Sequence, residues 1–469
     1  MNKNAANSFQ FDLVCIGSGP AGQRAAVQAA KLGKKVAVIE KSRVVGGACL
    51  DTGTIPSKTF REAVLAFSRG KEGVASTVRT SRDRPTANLL LARVNDVIRH
   101  EGEVLEEQLL RNDVFMIRGD ATFLDPHTLG IVDEYSGQKI TSDKLLIAVG
   151  TIPSPPPGIP ADGSMVINSD GVLKLTQIPK AMVVVGAGVI GMEYASMFAD
   201  LGVEVTVVDR RDRPLEFLDA EIVDELIHQM RNKNVSFRLN ESVEHLEIAS
   251  EPRTQAIIHL ESGKRLLSNL VLYSVGRLGA TATLNLDKAG LSVDERGRLR
   301  VDEHFRTDVP HIFGAGDVIG YPSLAATSSE QGRLAACHAF DYTAHPMVDH
   351  FPIGIYSIPE ISMVGKTEQD LTQNKVPYEV GLARYREIAR GAIMGDHTGL
   401  FKMLFHRDDH RLLGVHVIGT GATELIHIGQ AVMGLGGGLD YFLKTVFNYP
   451  TLAECYKVAA LDAYNKLHH

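Results

Sequence analysis

Two short glycine loops constrain this chain more than any other feature. The first, Gly17-Ser18-Gly19-Pro20-Ala21-Gly22, follows the apolar run Phe11–Gly17 and opens the Ala-rich segment Pro20–Leu32. The second, Gly186-Ala187-Gly188-Val189-Ile190-Gly191, stands between Ala181–Val185 and Val189–Leu201. Both read as strand, turn and helix. In such a turn the first glycine permits the tight bend and the second lets backbone approach a pyrophosphate. The third lets the helix sit close on the strand. The helix start then offers unbonded N–H groups and the positive end of its dipole to phosphates. Each loop is completed by another strand that ends on an acid. Glu40 closes Lys35–Glu40, 18 residues after Gly22, and Asp209 closes Glu204–Asp209, 18 residues after Gly191. An acid about 20 residues on is placed to accept a bond from a ribose hydroxyl. One such loop alone is weak evidence, and a Gly-rich turn beside a surface acid is the bland alternative. Strand, loop, helix and acid recurring in order favour two nucleotide-binding units.

Two dinucleotide loops imply two dinucleotides, FAD at one and NAD or NADP at the other. A third signal agrees. His311–Asp317 (HIFGAGD) is an apolar strand running into Gly314, Gly316 and Asp317, where backbone can approach a cofactor and Asp317 can bond a ribitol hydroxyl. At the second unit Asp209 suits the free 2′-hydroxyl of NAD, whereas Arg210 or Arg211 suits the 2′-phosphate of NADP. A solvated charged turn explains either arginine alone equally well. The pattern suggests tolerance of both nicotinamide cofactors.

Composition removes other classes. The net charge of −7 gives no footprint for nucleic-acid binding. Four cysteines (Cys15, Cys49, Cys337 and Cys455) are too few for a disulfide-built scaffold and include no CxxC pair. The longest apolar run, Ala181–Met192, falls short of the roughly 18 residues that span a bilayer. The N-terminus carries no signal-peptide pattern, so a soluble cytoplasmic protein with reduced thiols is expected. The histidines form no HExxH-like cluster. His416 and His427 read as core or surface residues, and no metal is expected. Asn88–Leu110 has the spacing of an amphipathic helix, and Leu145–Gly150 reads as a buried strand. Thr151–Pro160 reads as a linker, and Ala344–Phe351 as a second boundary. Beyond it, Phe401–Phe405 and Leu412–Val417 suggest an antiparallel sheet.

With the paired loops, Leu145–Gly150, Val275-Gly276-Arg277, HIFGAGD and the segment Gly46–Lys58, nearly the whole chain resembles the pyridine nucleotide–disulfide oxidoreductases. These flavoenzymes include lipoamide dehydrogenase, glutathione reductase and mercuric reductase. The resemblance implies an α/β fold with two Rossmann-like units and a C-terminal α+β dimerisation domain. It implies an FAD domain in two pieces (1–150 and 277–348), an inserted NAD(P) domain (151–276) and a dimerisation domain (349–469). It places Gly17, Ser18, Gly19, Pro20, Ala21, Gly22, Glu40 and Lys41 at FAD. Gly47, Cys49, Lys58, Ala121 (in GDATF), Gly150, Gly316 and Asp317 join them. Gly186, Gly188, Val189, Ile190, Gly191, Asp209, Arg210, Arg211 and Gly276 fall at NAD(P). It pairs Lys58 with Glu193 beside the flavin, where a cation stabilises the reduced, anionic ring; the alternative is an ordinary ion pair, disfavoured because a buried pair is costly unless it serves a role.

Two departures matter more than the matches. The family's redox pair is two cysteines five apart, but here Cys49 is followed at that distance by Thr54, and threonine forms no disulfide. The family's catalytic His, supplied by the partner subunit ahead of Pro and Glu, is replaced by Tyr449, while Glu454 is kept. Tyrosine, with an ordinary pKa near ~10, is a poor base at neutral pH. Cys49 can be a thiolate against the flavin or a packed small residue, with packing slightly favoured. Losing both halves of thiol chemistry resembles the soluble transhydrogenase branch of the family. That branch exchanges hydride between NADPH and NAD⁺ through FAD, as a homodimer or larger homo-oligomer. The rivals are a flavin reductase using a quinone, dye or metal ion, a lipoamide-dehydrogenase-like protein without thiol chemistry, a disulfide reductase, and a non-catalytic binding module.

Overall fold

The computed structural model describes residues 9–72, 85–133, 137–156, 163–249, 255–348 and 350–468. The Pro157–Pro160 part of the expected linker and Asp349 of the second expected boundary lie outside them. Three sheets organise the chain. In the first, the parallel strands Phe115–Arg118, Val36–Glu40 and Phe11–Ile16 adjoin the inner half of Gly137–Ile147, on which Ile312–Gly314 also pairs. The outer half of Gly137–Ile147 continues into an antiparallel meander with Thr128–Val132 and Asp120–Asp125. The expected strand Leu145–Gly150 is therefore only the buried end of a longer strand. That strand stops at Ile147, and Ala148–Gly150 turn away as loop.

The second sheet is wholly parallel, in the order Val235–Leu239, Glu204–Asp209, Ala181–Val185, Leu270–Tyr273 and Val166–Ile167. Its inner strands Ala181–Val185 and Leu270–Tyr273 are continuously apolar apart from the terminal tyrosine, as expected for a sheet covered on both faces. The three-stranded antiparallel sheet Val243–Ala249, Gln255–Leu260 and Arg265–Ser268 covers one face through Ala256, Ile258 and Leu260. Helix Val189–Asp200 covers the other, and it is buried almost all round. Phe60 and Val64 of helix Thr54–Glu72 pack on Met192, Tyr194 and Phe198, joining the first unit to the second.

The third sheet is antiparallel, Ile353–Ile355, Ile361–Gly365, Leu412–Ile418, Leu400–His406 and Tyr378–Arg384, as expected for the C-terminal third. The final helix, Glu454–His468, buries Tyr456, Ala459 and Ala463 in its core. The expected linker is more ordered than its prolines suggest. Thr151–Pro153 forms a two-stranded ladder with Arg277–Gly279. Proline is tolerated there because a two-stranded ribbon has free edges. The amphipathic helix runs Ala87–Leu110, one residue longer than read, with Thr86 as its N-cap. No helix among the described residues is long and apolar enough to cross a membrane.

Candidate active site

The glycines of each loop divide by what demands them. Gly17 has φ +103°, and a Cβ there would lie 2.5 Å from the Ala148 carbonyl oxygen. A Cβ on Gly22 would lie 1.9 Å from the Gly17 oxygen. The second loop repeats this, with Gly186 at φ +105° against Ser274, and a Gly191 Cβ 1.9 Å from the Gly186 oxygen. Internal packing therefore requires the first and third glycines. The middle ones differ, because a Cβ on Gly19 or Gly188 would meet nothing within 4 Å. Each caps the N-terminus of its helix without any side-chain capping bond. Open space over an uncapped helix start fits a pyrophosphate.

Both strand-end acids tie back to their loops in one way. Glu40 accepts from the Ser18 N–H (3.0 Å) and hydroxyl (2.5 Å), and from the Ser42 N–H (2.7 Å). The Ser18 hydroxyl in turn accepts from Gly46 N–H at 2.9 Å. Asp209 accepts from the Ala187 N–H at 2.5 Å and the Arg211 N–H at 2.9 Å. The Arg211 guanidinium adds bonds of 2.9 and 2.7 Å. Burial pushes the Asp209 carboxyl up, but Arg211 and the Ala187 N–H outweigh it and hold it below the usual range. The two arginines are therefore not equivalent. Arg211 is folded onto Asp209, whereas the exposed Arg210 side chain makes no hydrogen bond or ion pair among the described residues.

The first unit carries most of the cluster expected beside the flavin. Residues Gly47–Asp51 form a short helix and Thr54–Glu72 a long one. Their junction sets Cys49 beside Thr54, the position of the missing cysteine. Burial pushes the Cys49 thiol up; a hydrogen bond from Thr54 works against this, Asp317 adds to it, and Lys58 opposes it. Lys58 Nζ lies 2.9 and 3.0 Å from the two Glu193 oxygens. The Glu193 side chain is 4% exposed and that of Lys58 26%, so the anion is enclosed while the cation is partly open to solvent. Gly47 folds over the first glycine loop, where its Cβ would lie 2.9 Å from Gly19 Cα. Burial raises the Asp317 carboxyl, with Arg277, Ser328 and Thr151 opposing.

Around these, Gly316 N–H donates to Gln331 at 2.9 Å. Gly119 N–H donates to the Glu40 carbonyl at 3.1 Å, setting the strand that carries Ala121 beside the first acid. Gly150 (φ +66°) and Gly276 (φ +111°) flank the two-stranded ladder. Lys41, like Arg210, is exposed just after its acid. Pro20, Ala21, Val189 and Ile190 form the first turns of the two helices.

Tyr449 and Glu454 stand apart. Tyr449 is 68% exposed, and the Glu454 Oε2 is shielded from solvent without a hydrogen-bond partner. Among the described residues neither is hydrogen-bonded to Cys49 or Lys58. Cys15, Cys337 and Cys455 are buried free thiols. His427 is on the surface against Gln430, and buried His416 meets the Lys366 carbonyl.

Sequence reasoning missed Tyr356. Its N–H donates to Glu193 at 2.9 Å, and its ring lies 4.9 Å from Lys58 Nζ. It also missed Arg277, which bonds the Thr151 hydroxyl (2.8 Å) and carbonyl (2.7 Å). Tyr356 lies 163 residues beyond Glu193, so no local pattern marks it.

Residues 11–332 match the pyridine nucleotide-disulphide oxidoreductase profile, and residues 351–460 match the dimerisation domain of the same group. The chain belongs to the pyridine nucleotide-disulphide oxidoreductase family. Within that family it is 52% identical over 462 residues, 98% of each chain, to a soluble pyridine nucleotide transhydrogenase from Mycobacterium bovis. A protein of the same description from Photobacterium profundum is 44% identical over the full length of both. Among solved structures, an HOCl-induced flavoprotein disulfide reductase from Escherichia coli superposes with TM-score 0.86 at 28% identity. That match covers 96% of this chain and 99% of the other. The family's α/β architecture and C-terminal antiparallel sheet are thus those described above.

Proposed function

We propose that this chain is an FAD-dependent soluble transhydrogenase that catalyses NADPH + NAD⁺ → NADP⁺ + NADH by ping-pong transfer at one nicotinamide site. The observation that carries this reading is Thr54 beside Cys49 within reach of an intact Lys58–Glu193 pair. The 42–52% identity to soluble transhydrogenases supports it.

FAD, when bound, supplies the group that takes hydride from one nicotinamide and gives it to the next. The residues around Gly19, Glu40, Gly47, Ala121, Gly150 and Asp317 would hold it, and residues 1–150 with 277–348 would form its domain. Gly188, Asp209, Arg210 and Gly276, in 151–276, would hold the nicotinamide dinucleotides. Lys58, fixed by both Glu193 oxygens and covered by Tyr356, presents a cation that stabilises the arriving electron pair. Thr54 prevents that pair from passing to a dithiol, so it leaves with a second nicotinamide. The overall exchange takes up and releases no proton, so Tyr449 in place of a basic histidine is no obstacle. Residues 349–469 would build a homodimer, and exposed Leu435, Val446 and Tyr449 supply apolar surface for it. The four free thiols suit the cytoplasm.

The test is exchange between NADPH and a thio-analogue of NAD⁺ by purified, FAD-loaded protein without another acceptor. Turnover with two reducing equivalents per FAD is expected. Failure of NADPH or NADH to reduce the flavin, or uptake of a further pair per chain, refutes it.

A further inference from the structure

We propose that His245, Glu247 and His259 form a binding site for one zinc-class divalent cation on the outer face of the three-stranded sheet. The site is separate from the cluster expected beside the flavin. In this sheet Ala256, Ile258 and Leu260 are fully buried. Strand alternation therefore turns His259 outward. An irregularity between Val243 and His245 resets the register so that His245 pairs directly with His259. Glu247, two residues on, shares that face. The two rings stack with centroids 4.0 Å apart and planes 11° from parallel, so one ring must turn for both in-plane lone pairs to meet a single ion.

The distances suit an ion better than a hydrogen bond. The Nε2 atoms of His245 and His259 lie 3.4 and 3.5 Å from the same Glu247 oxygen. Both exceed a good N–H···O bond of about 2.7–3.2 Å. Bonds of about 2.0–2.2 Å to a tetrahedral ion place neighbouring ligand atoms about 3.3–3.5 Å apart. All three ligand atoms already lie within 4.8 Å of one another. The His259 side chain is 16% exposed, yet its Nε2 is shielded from solvent and has no hydrogen-bond partner. The far nitrogen of His245, Nδ1, has Glu244 at 3.9 Å, beyond hydrogen-bond reach. Two imidazoles, one carboxylate and an open fourth position for water suit Zn²⁺. Exposed Arg265, opposite His259, weakens the site without ligating. Because the ligands come from two strands, the bound ion would clip Val243–Ala249 to Gln255–Leu260.

The experiment uses the full-length, FAD-loaded protein, stripped with EDTA and titrated with Zn²⁺ against a chromophoric chelator. One Zn²⁺ per chain is expected, with affinity at least tenfold lower in His259→Gln and in Glu247→Gln. Zn²⁺ should raise the melting temperature of the wild type only. Hydride exchange without added zinc should match in all three proteins. Glu247→Gln changes an exposed residue, so it keeps the fold if His259→Gln does not. Wild-type binding equal to that of Glu247→Gln overturns the proposal.

Discussion

Arg210 and Arg211 are adjacent in sequence, yet their surroundings separate their effects. Arg211 lies folded on Asp209 through two guanidinium bonds of 2.7 and 2.9 Å, whereas the Arg210 side chain is exposed and unbonded among the described residues. Only Arg210 is then at liberty to meet the 2′-phosphate that distinguishes NADPH from NADH. A hydrogen bond to a charged group contributes about 1.5–3 kcal/mol. Solvent screening of an exposed arginine favours the lower end. Since about 1.4 kcal/mol is tenfold, Arg210→Ala should lower kcat/KM for NADPH about tenfold and leave NADH unchanged. Arg211→Ala removes two of the donors to a carboxylate that also anchors the second glycine loop at Ala187. It also frees two acceptor positions on Asp209 for a ribose hydroxyl, so it should favour NADH without a selective loss of NADPH. The assay is steady-state kinetics with each nucleotide, with FAD content checked for every variant. Added salt should shrink the wild-type preference toward that of Arg210→Ala, because exposed charges are screened within about 10 Å at 0.1 M. If Arg210→Ala depresses both cofactors equally, or Arg211→Ala alters only NADPH, the assignment is refuted.

Other predictions concern the scaffold. Lys402 is 0% exposed and lies 2.9 Å from Asp219 and 3.1 Å from Glu221, with Glu368 also bonded, so it ties the second unit to the C-terminal sheet. Lys402→Met should cost about 3–5 kcal/mol by leaving buried Asp219 unpaired, read by urea unfolding; a loss under about 1 kcal/mol contradicts this. Burial pushes the Asp219 carboxyl up, but His416 and Lys402 outweigh it and hold it low. Its stabilisation is therefore full above the unfolded value near ~3.9 and fades as pH falls toward the folded one. Asp219→Asn should accordingly flatten the acid side of the stability profile, and an unchanged slope contradicts that. Gly22→Ala should abolish soluble expression, whereas Gly188→Val should fold and lose nicotinamide binding, measured by equilibrium dialysis. Burial pushes Cys455 up to about 12, and Cys15 and Cys337 are buried too. A thiol reagent at pH 8 should therefore label only Cys49 in the native protein, and two or more labels per chain contradict this.

The two nucleotide-binding units were legible because their signal is local. A strand, three glycines, a helix and an acid lie within about 30 residues, and each residue's environment follows from its place in that unit. The Lys58–Glu193 pair spans 135 residues and was reached only through resemblance. Tyr356 had no such route, because it contributes a backbone N–H and a ring face, which any sequence pattern would leave unmarked. The Thr151–Pro153 ladder was hidden by prolines that dominate local reading. The Lys402 cluster was hidden because a lone lysine in an apolar strand reads as an ordinary alternation, until three acids from other elements converge on it. The His245–Glu247–His259 face was missed for a similar reason, since its ligands come from two strands and follow no single-segment metal motif.

The two acids show how one backbone plan yields two different sites. In both units the acid accepts from an N–H of the loop and from the N–H two residues beyond itself. Ser42 occupies that later position in the first unit and Arg211 in the second. Glu40 therefore accepts three bonds, and Asp209 accepts four. A carboxylate offers about four lone-pair sites, so Glu40 retains capacity for a ribose hydroxyl while Asp209 is full. For NAD⁺ to use Asp209, the Arg211 side chain must yield at least one of its bonds. NADPH needs no such release if its phosphate is met by Arg210. Under the proposed function the same turn would then accept both substrates by different routes, with Arg211 moving for one and staying in place for the other.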